Sequence, residues 1–582
     1  MRDRLHSLLS WAWKARTRWI CGLPITFACG YAVVLTISAN LLFMRPRGAM
    51  LHKWDEGYAL AFARRMLEGH CLPYVDAVSH RGPVFYWIVA LAVKISGYGT
   101  WTPMRALTLL AMLLTMGFGF AAACVARRAM AGAIFCLIYF GACATSMFLG
   151  DGLGFGGEHV VNVFGMLALL CLTVALRNRS RRPNLALVAL GGAALMLGSL
   201  SKQVGVAALA PFGVWVIAAA AERRELSRTF RWGLVAAFAL GVFAPLGIVL
   251  ARYAIAHELS TFYYYTITYN LSVYGPAIRG AERSRFLQDA FLGHFDLLLV
   301  GAPLLGWGVS LLLARAGARA GRPRDWKRVY SEQGFDATVV TNVGASLLAA
   351  NSSLRNFGHY YLVVVPWAAL LLGVVIDRVT TRPSLQTRRF PLRSLLARSA
   401  VLLPLAAVVQ IGWWCKSREF VANPEVRAMF YTQDWPICRF LQARTKPTDS
   451  IFIWGFDPAP YTACNRRSAS RYVFTTFVAG YVPWVDDARA IEDARAAPGS
   501  RDILLAELQN ETPAVIFDSP TSMGNRSLMS YDFLRTFVVA NYCVDRVSIG
   551  GPTAWTRKPP EGCDAATGGL GGAVPRADSF RK

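Results

Sequence analysis

Long blocks of apolar residues, separated by short basic loops, dominate the chain. Blocks at 25–43, 104–125, 291–313 and 396–414 approach or exceed the roughly 20 residues that an apolar helix needs to cross a bilayer. Shorter apolar blocks lie between them. The pattern predicts a polytopic α-helical membrane protein with about 11 transmembrane helices, at about 25–44, 103–125, 130–149, 159–176, 185–200, 204–221, 232–254, 291–314, 336–351, 362–376 and 396–415.

The apolar run at 84–95 is too short for a typical span and predicts a re-entrant or interfacial helix. We place the basic N-terminus, residues 1–24, in the cytoplasm and expect the first helix to be retained rather than cleaved. If the short run does not cross, every basic cluster falls on the cytoplasmic side, as positive-inside topology requires. These clusters lie at 127–128, 177–182, 223–231, 315–328 and 378–393.

The C-terminal region changes character. Residues 450–454 and 514–518 are short apolar runs typical of buried strands, and a helical pattern at 503–508 lies between them. This alternation predicts a small extracytoplasmic α/β domain. We therefore expect a catalytic membrane domain at 25–415 with a first external loop at 45–102, an α/β domain at 416–561, and a disordered tail at 562–582.

Charge and cysteine content narrow the function classes. The 582-residue chain is 54% hydrophobic and has a formal net charge of +26. Because the basic residues sit in loops between apolar blocks, they set topology and favour anionic lipids, and nucleic acid is not an expected partner. Four of the 12 cysteines lie in the C-terminal region and could form disulfides there, in a pairing that the sequence leaves open: Cys438, Cys464, Cys543 and Cys563.

Polar residues gather at the predicted outer ends of the helices. Asp55 and Glu56 follow the first span; a carboxylate there can act as a general base, or it can simply favour a helix N-terminus. The other members are Arg81, Glu158, His159, Lys202, Arg355, His359 and Tyr360. They suit a lipid-phosphate site, although each could instead be an interface anchor. Tyr263, Tyr264, Tyr265 and Tyr269 favour an aromatic interface belt over acceptor stacking.

Several segments in order resemble one family. These are Asp-Glu-Gly-Tyr at 55–58, Arg-Gly-Pro at 81–83, Ser-Lys-Gln at 201–203, Arg-x-x-x-His-Tyr-Tyr-Leu at 355–362 and Trp-Gly-Phe-Asp-Pro at 454–458. Together they resemble the GT-C glycosyltransferases, in particular the bacterial protein-mannosyltransferase-like family that includes the lipid A aminoarabinose transferases. The chain departs from that pattern in having Arg81 where Lys is familiar, and in the Gly-rich setting of Glu158 and His159.

The resemblance implies inverting transfer of a sugar from a polyprenyl-phosphate carrier, on the extracytoplasmic face of a bacterial inner membrane. The acceptor would be a protein, lipid A or another glycolipid, or a wall glycan. Asp55 would be the base, Glu56 its neighbour and Glu158 a second external carboxylate. Arg81 and Lys202 would bind the carrier phosphate, in a cavity lined by Arg355, His359, Tyr360 and His159.

This mechanism requires no cofactor, although a carboxylate pair could bind a divalent metal. Two other function classes compete with the transferase. A transporter or lipid flippase would favour polar groups at helix midpoints and repeated halves, whereas here the polar groups gather at outer ends. A non-catalytic scaffold would use the α/β domain to bind an envelope partner.

Overall fold

The computed structural model is mostly helical. It describes residues 2–44, 48–51, 53–145, 152–177, 182–275, 326–352, 358–380, 391–422, 432, 435–483, 485, 489–545, 552–560 and 562–563. Within these ranges six helices are long and apolar enough to cross a membrane: Gly22–Leu42, Thr102–Val125, Gly157–Leu176, Gln203–Glu222, Arg228–Ile255 and Leu395–Ala422. The protein is therefore a multi-pass membrane protein.

The remaining predicted spans fall on shorter or less apolar helices. They are Ala129–Thr145, Leu185–Ser199, Trp326–Asn351 and Val365–Thr380. The predicted span at 291–314 lies outside the described residues. The short run at 84–95 is indeed a helix, Pro83–Ser96, of 14 residues. The count of 11 crossings stays a prediction.

Three helix bounds differ from the sequence pattern. The first helix begins at Arg2 rather than near residue 25, so the basic N-terminal residues continue the apolar helix. The last membrane helix, Pro391–Ala422, extends about two turns beyond its apolar stretch. The predicted span at 204–221 begins with a 3₁₀ segment, Gln203–Ala208, before the α-helix Leu209–Glu222. Amphipathic or polar turns adjoining an apolar helix carry no stop signal, so periodicity alone misses these ends.

Contacts divide the chain into two compact units. Unit 1 comprises 1–43, 105–257 and 282–424, and it holds the long apolar helices. Two of its helices approach closely through glycines: a Cβ on Gly192 would lie 2.5 Å from the Phe238 carbonyl oxygen, and one on Gly241 would lie 2.0 Å from that of Ala189. Small residues at such crossings let two backbones meet, which is how helices associate within a bilayer.

An ionic network in unit 1 joins the turn at Arg128, just before the helix Ala129–Thr145, to the helices Trp326–Asn351 and Val365–Thr380. Arg128 contacts Asp336 at 2.7 Å and Asp377 at 3.1 Å, and Arg378 contacts Asp336 at 2.5 Å. Both carboxylates are only 7% exposed as side chains. Arg128 and Arg378 belong to two of the basic clusters on which the topology prediction rests. In the structure the same two residues also join separate elements through ion pairs.

Unit 2 comprises 44–104, 258–281 and 425–582, and a five-stranded mixed sheet lies within it. The strands are β1 Ser450–Trp454, β2 Arg467–Ser468, β3 Val515–Asp518, β4 Tyr542–Asp545 and β5 Thr553–Arg557, in the order β2-β1-β3-β5-β4. β1 pairs in parallel with β2 and β3, with Ile451 opposite Val515, while β5 is antiparallel to both neighbours. The helix Ser500–Glu511 supplies the crossover between β1 and β3 that parallel pairing needs.

The other helices of unit 2 are short. Lys53–Glu68 and Pro83–Ser96 come from the segment 44–104. Leu259–Tyr263 continues into a π-helix, Tyr264–Tyr274. The C-terminal part adds helices at Pro436–Arg444, Ala459–Ala463, Thr476–Ala479, Arg489–Arg495 and Asp532–Asn541. The sheet of unit 2 therefore shares its core with two segments that are distant in sequence.

The segment 44–104 packs against the C-terminal part of unit 2. The Tyr58 ring stacks on Phe474 with centroids 3.9 Å apart. Gly57 lies so close to the helix Ala459–Ala463 that a Cβ would be 2.9 Å from the Ala459 Cα. Arg64 donates to the Asn465 amide oxygen at 2.9 Å. The sequence grouped residues 45–102 with the membrane helices, and the structure instead groups them with the C-terminal part.

The tyrosines of the 258–281 segment are a correction to the sequence analysis. Tyr265 and Tyr269 are 7% and 2% exposed, and their rings lie 5.6 and 4.8 Å from Phe477. They therefore form core of unit 2 rather than an interface belt, whereas Tyr263 is 57% exposed and Tyr264 is half-buried. The π-helix Tyr264–Tyr274 places Tyr265 and Tyr269 against Phe477, which assigning this segment to a loop could not anticipate.

The C-terminal cysteines form two disulfides. Cys438 pairs with Cys464, and Cys543 pairs with Cys563. The sequence left this pairing open. The tail predicted to be disordered lies almost wholly outside the described residues, which end at Cys563.

Candidate functional site

Asp55 and Arg81 form an ion pair in unit 2. Asp55 lies in the first turn of the helix Lys53–Glu68, where a carboxylate is favoured by the helix dipole. An Arg81 Nη atom donates to the Asp55 carboxylate at 2.5 Å, and the two side chains are 15% and 17% exposed, respectively. The pair thus has one edge in contact with solvent, and the sequence had singled out both members.

Glu56 has a different environment from its neighbour. It is fully buried, and its carboxylate accepts a hydrogen bond from the Leu51 backbone N–H at 2.9 Å. Leu51 precedes the helix Lys53–Glu68, so this hydrogen bond ties the incoming chain to the first turns of the helix. Glu56 therefore holds the start of the helix in place and so positions Asp55.

A hydrogen-bonded segment holds Arg81. The Tyr58 hydroxyl donates to the Val78 carbonyl, and burial raises the pKa of Tyr58 well above its usual value, which keeps the hydroxyl protonated. The Tyr74 hydroxyl donates to the Arg81 carbonyl at 2.6 Å, and the Arg81 N–H donates to the Ser79 hydroxyl at 3.1 Å. The backbone of Arg81 is thereby fixed, and its side chain is directed to Asp55.

His80, which the sequence analysis passed over, lies beside this pair in the chain. Its carbonyl accepts from the Asn270 amide at 2.9 Å, and its ring stacks on Tyr274 with centroids 5.0 Å apart. The π-helix Tyr264–Tyr274 therefore braces the segment before Arg81. A single His before Arg-Gly-Pro carries no motif signal, so sequence could not have found this contact.

Glu158 and Lys202 form a second ion pair, in unit 1. Lys202 donates to the Glu158 carboxylate, and the side chains are 11% and 3% exposed. The ammonium also lies 4.6 Å from the Tyr360 ring centroid, a cation–π contact. Gly157 permits this arrangement, since a Cβ there would lie 3.2 Å from the Lys202 Cβ. The sequence had assigned all three polar residues to the site, and the structure brings these three together.

His159 and His359 behave differently. His159 is 1% exposed; one ring nitrogen lies 3.0 Å from the Gly152 carbonyl oxygen, and the other accepts from the Gly156 N–H at 3.3 Å. Its described contacts therefore shape the turn that presents Glu158. The His359 ring packs edge-on against Tyr360 at 4.5 Å. Arg355 lies outside the described residues.

Arg105 is a further residue of unit 1 that sequence reasoning missed. It is fully buried near the start of the helix Thr102–Val125, and it donates to the Leu153 carbonyl at 2.6 Å. It thus anchors the Gly-rich turn that precedes Glu158. An Arg one turn into an apolar helix resembles an ordinary interface anchor, which hides this role in the sequence.

No grouping of three or more His, Cys, Asp or Glu side chains suitable for a metal ion occurs among the described residues. The two ion pairs themselves offer a carboxylate that can accept a proton, at Asp55, and cations that can bind an anion, at Arg81 and Lys202.

One family model matches part of the chain. Residues 80–248 match the model of the dolichyl-phosphate-mannose-protein mannosyltransferase family, a stretch that contains Arg81, Glu158 and Lys202. No curated protein matches the chain in sequence.

The fold is similar to that of ArnT from Cupriavidus metallidurans bound to undecaprenyl phosphate, with a TM-score of 0.51 and 17% identity over 90% of this chain and 98% of that one. An Archaeoglobus fulgidus oligosaccharyltransferase tethered to an acceptor peptide matches with a TM-score of 0.43 and 12% identity, covering 92% and 74% of the two chains. The chain is therefore similar in fold to the ArnT structure, and part of it is similar in sequence to the dolichyl-phosphate-mannose-protein mannosyltransferase family.

Proposed function

We propose that the protein is an inverting glycosyltransferase that moves a sugar from a polyprenyl-phosphate donor to a cell-envelope acceptor on the extracytoplasmic face of the membrane. The observation that carries this proposal is the Asp55–Arg81 pair, a carboxylate and a guanidinium 2.5 Å apart with a solvent-facing edge. The family match over 80–248 and the ArnT-like fold support it, and the ArnT structure is described as bound to undecaprenyl phosphate.

The chemistry follows from the two side chains. Asp55 accepts the proton of the acceptor hydroxyl as that oxygen attacks the anomeric carbon, and the bond from that carbon to the phosphate oxygen breaks on the opposite face. Arg81 neutralises the charge on the leaving polyprenyl phosphate, which a guanidinium does through paired N–H donors. A phosphate leaving group needs no general acid, so one base is sufficient.

The ion pair also gives an order to these events. A carboxylate held by a guanidinium is a weak base, because the charged form is stabilised. When the donor phosphate draws the Arg81 side chain away, Asp55 becomes available for the acceptor proton. The Tyr74 and Ser79 hydrogen bonds hold the backbone of Arg81 and not its guanidinium. The guanidinium would therefore pass from Asp55 to the donor phosphate without a movement of the backbone.

The other assignments remain predictions from the resemblance. They place Lys202, His359, Tyr360, His159 and Arg355 around the carrier phosphate and make Glu158 a second carboxylate. The extracytoplasmic placement of unit 2 is supported by its two disulfides, which form and persist in oxidising compartments.

The test is transfer of label from radiolabelled polyprenyl-phosphate sugars to total envelope material. Membranes with the wild-type protein should label an acceptor, and membranes with Asp55→Asn should lose about 10²–10⁴-fold in rate, the usual contribution of a general base. Asp502→Asn, an exposed carboxylate in the first turn of the helix Ser500–Glu511, is the matched control and should retain activity. Wild-type turnover in Asp55→Asn would remove the base assignment. Absence of label from every donor, with folded protein, would favour a transporter.

A further inference from the structure

A polar cleft of ≈670 Å³ lies in unit 2, apart from the ion pair. One wall is the end of the helix Pro83–Ser96 and the turn after it, and the other is the C-terminal part from Gln442 to Arg466. The helix has 14 residues and begins two residues after Arg81, so the cleft lies about 20 Å along the helix axis from the Arg81 end. The cleft is therefore a second location rather than an extension of the pair.

Tight turns, hydrogen bonds and a disulfide fix the two walls of the cleft. Gly97 and Gly99 have φ of +84° and +73°, which turns the chain sharply after the helix. A Cβ on Gly99 would lie 2.8 Å from the Asn465 side chain, so the turn presses on Asn465 itself. Arg466 fixes the opposite wall by donating to the Thr445 hydroxyl at 2.8 Å and to the Cys464 carbonyl at 3.0 Å. The disulfide from Cys464 to Cys438 closes the same wall.

The lining carries chemical groups that can contact a carbohydrate. It presents one exposed aromatic ring, two primary amides and several hydroxyls: Tyr98, Gln442, Asn465, Thr100, Thr102 and Thr445. Tyr98 is 43% exposed, and the Arg64 guanidinium lies 4.6 Å from its centroid, which holds the ring in place. An aromatic face stacks on the C–H face of a sugar ring, while amides and hydroxyls both donate to and accept from sugar hydroxyls.

The charge and polarity of the lining disfavour cations, basic peptides and apolar acyl chains as ligands. Among the described residues that line the cleft there is no Asp or Glu, and Arg466 is the basic member, with its guanidinium engaged in the wall. A cation or a basic peptide finds no counter-charge in such a cleft. An apolar acyl chain would have to desolvate the amides and hydroxyls without replacing their hydrogen bonds, which is costly. A neutral polyhydroxylated ligand meets neither obstacle.

We propose that this cleft binds a glycan portion of the acceptor, so that the acceptor of the proposed transferase is an oligosaccharide-bearing molecule and not an unmodified protein. The assignment as an acceptor subsite rests on the proposed function. The binding of a glycan does not, and it is measurable without any transfer.

The experiment uses the full-length protein in nanodiscs and isothermal titration calorimetry with a panel of neutral hexasaccharides built from glucose, mannose, galactose or arabinose. At least one should bind saturably. Tyr98→Ala and Gln442→Ala should each weaken that binding about tenfold or more, and Tyr98→Phe should preserve it. Gln509→Ala, an exposed amide on the helix Ser500–Glu511 outside the cleft, is the matched control and should bind as wild type does. Unchanged unfolding midpoints in the variants exclude a folding defect.

Two results would overturn the proposal: no hexasaccharide binds at millimolar concentration, or one binds equally well to Tyr98→Ala. Transfer kinetics separate the two proposals. If wild type transfers sugar and Tyr98→Ala raises the acceptor KM about tenfold at unchanged kcat and donor KM, both stand. If transfer is normal in Tyr98→Ala, the cleft proposal fails alone. If hexasaccharides bind but no donor yields product, the transferase proposal fails alone.

Discussion

The two carboxylate–cation pairs differ in how much freedom they leave to their members. The Asp55–Arg81 pair lies in unit 2 and faces solvent along one edge, with side chains 17% and 15% exposed. In the Glu158–Lys202 pair of unit 1 the carboxylate is only 3% exposed, and the ammonium also contacts the Tyr360 ring. A pair at a solvent edge exchanges partners at low cost, whereas a buried pair is expensive to open. We infer that the first pair serves chemistry and that the second pair also holds the fold.

Breaking the buried pair should produce the largest loss of stability. Lys202→Met removes the ammonium from a buried carboxylate, which costs about 3–5 kcal/mol in comparable pairs. The midpoint of thermal unfolding in nanodiscs should fall accordingly. Adding Glu158→Gln should restore part of the loss, because the charge is removed as well. Lys94→Met, an exposed Lys in the last turn of Pro83–Ser96, should change little. Equal midpoints for wild type and Lys202→Met would end the distinction between the pairs.

Removing the cation of the other pair should affect donor binding more than stability. Arg81→Gln loses a charged hydrogen-bond donor worth about 1.5–3 kcal/mol, so the donor KM should rise roughly 10- to 100-fold. Arg81→Lys keeps the positive charge but lacks the paired N–H donors. Its donor KM should therefore lie between those of the wild type and Arg81→Gln. Arg535→Gln breaks a surface pair with Asp532 and is a control that should leave KM unchanged. A donor KM that does not respond to Arg81→Gln would contradict the phosphate role.

The close packing beneath Asp55 can be tested with one methyl group. Gly57→Ala places a Cβ 2.9 Å from the Ala459 Cα, and overpacking of this kind costs about 1–3 kcal/mol. The unfolding midpoint should fall, and the transfer rate should fall with it because the helix carrying Asp55 must shift. Gly117→Ala is the control, since nothing lies within 4 Å of its added Cβ. It should be neutral or slightly stabilising. A stable and fully active Gly57→Ala would show that the helix is free to move.

The smallest effect should come from the ring above Lys202. Tyr360→Leu removes the cation–π contact, worth about 0.5–2 kcal/mol. Tyr360→Phe retains a ring and should recover most of the loss in unfolding free energy. If Phe and Leu behave alike at this position, the ring contributes packing alone, and the buried pair owes its stability to the carboxylate.

Sequence anticipated the parts of the molecule with strong local signals. Long apolar blocks gave the membrane helices, and the continuous run of buried residues at Ser450–Trp454 gave β1. β4 and β5 escaped detection because each is short and partly exposed, which leaves no clear period. The cysteine pairing depended on chain geometry that no spacing encodes.

The candidate site likewise has residues that the sequence singled out and contacts that it could not predict. Asp55 and Arg81 stood out as individual residues, but their direct contact across 26 positions depends on tyrosine hydroxyls that pin the intervening backbone. Glu56 appeared equivalent to its neighbour, and only burial separates the two. Arg105 donates to the backbone carbonyl of Leu153, whereas His80 accepts a hydrogen bond with its own backbone carbonyl. Neither contact leaves a motif in the sequence.

Unit 2 is assembled from three stretches of the chain that are synthesised at different times: 44–104, 258–281 and 425–582. The helix Lys53–Glu68 emerges early, yet the partner of its Arg64, Asn465, is synthesised 401 residues later. At about 5–20 residues per second, the helix waits roughly 20–80 seconds for that partner. Through this interval the Tyr58 ring lacks the Phe474 ring on which it stacks in the folded protein. The core of unit 2 is therefore completed only after most of the chain has been synthesised.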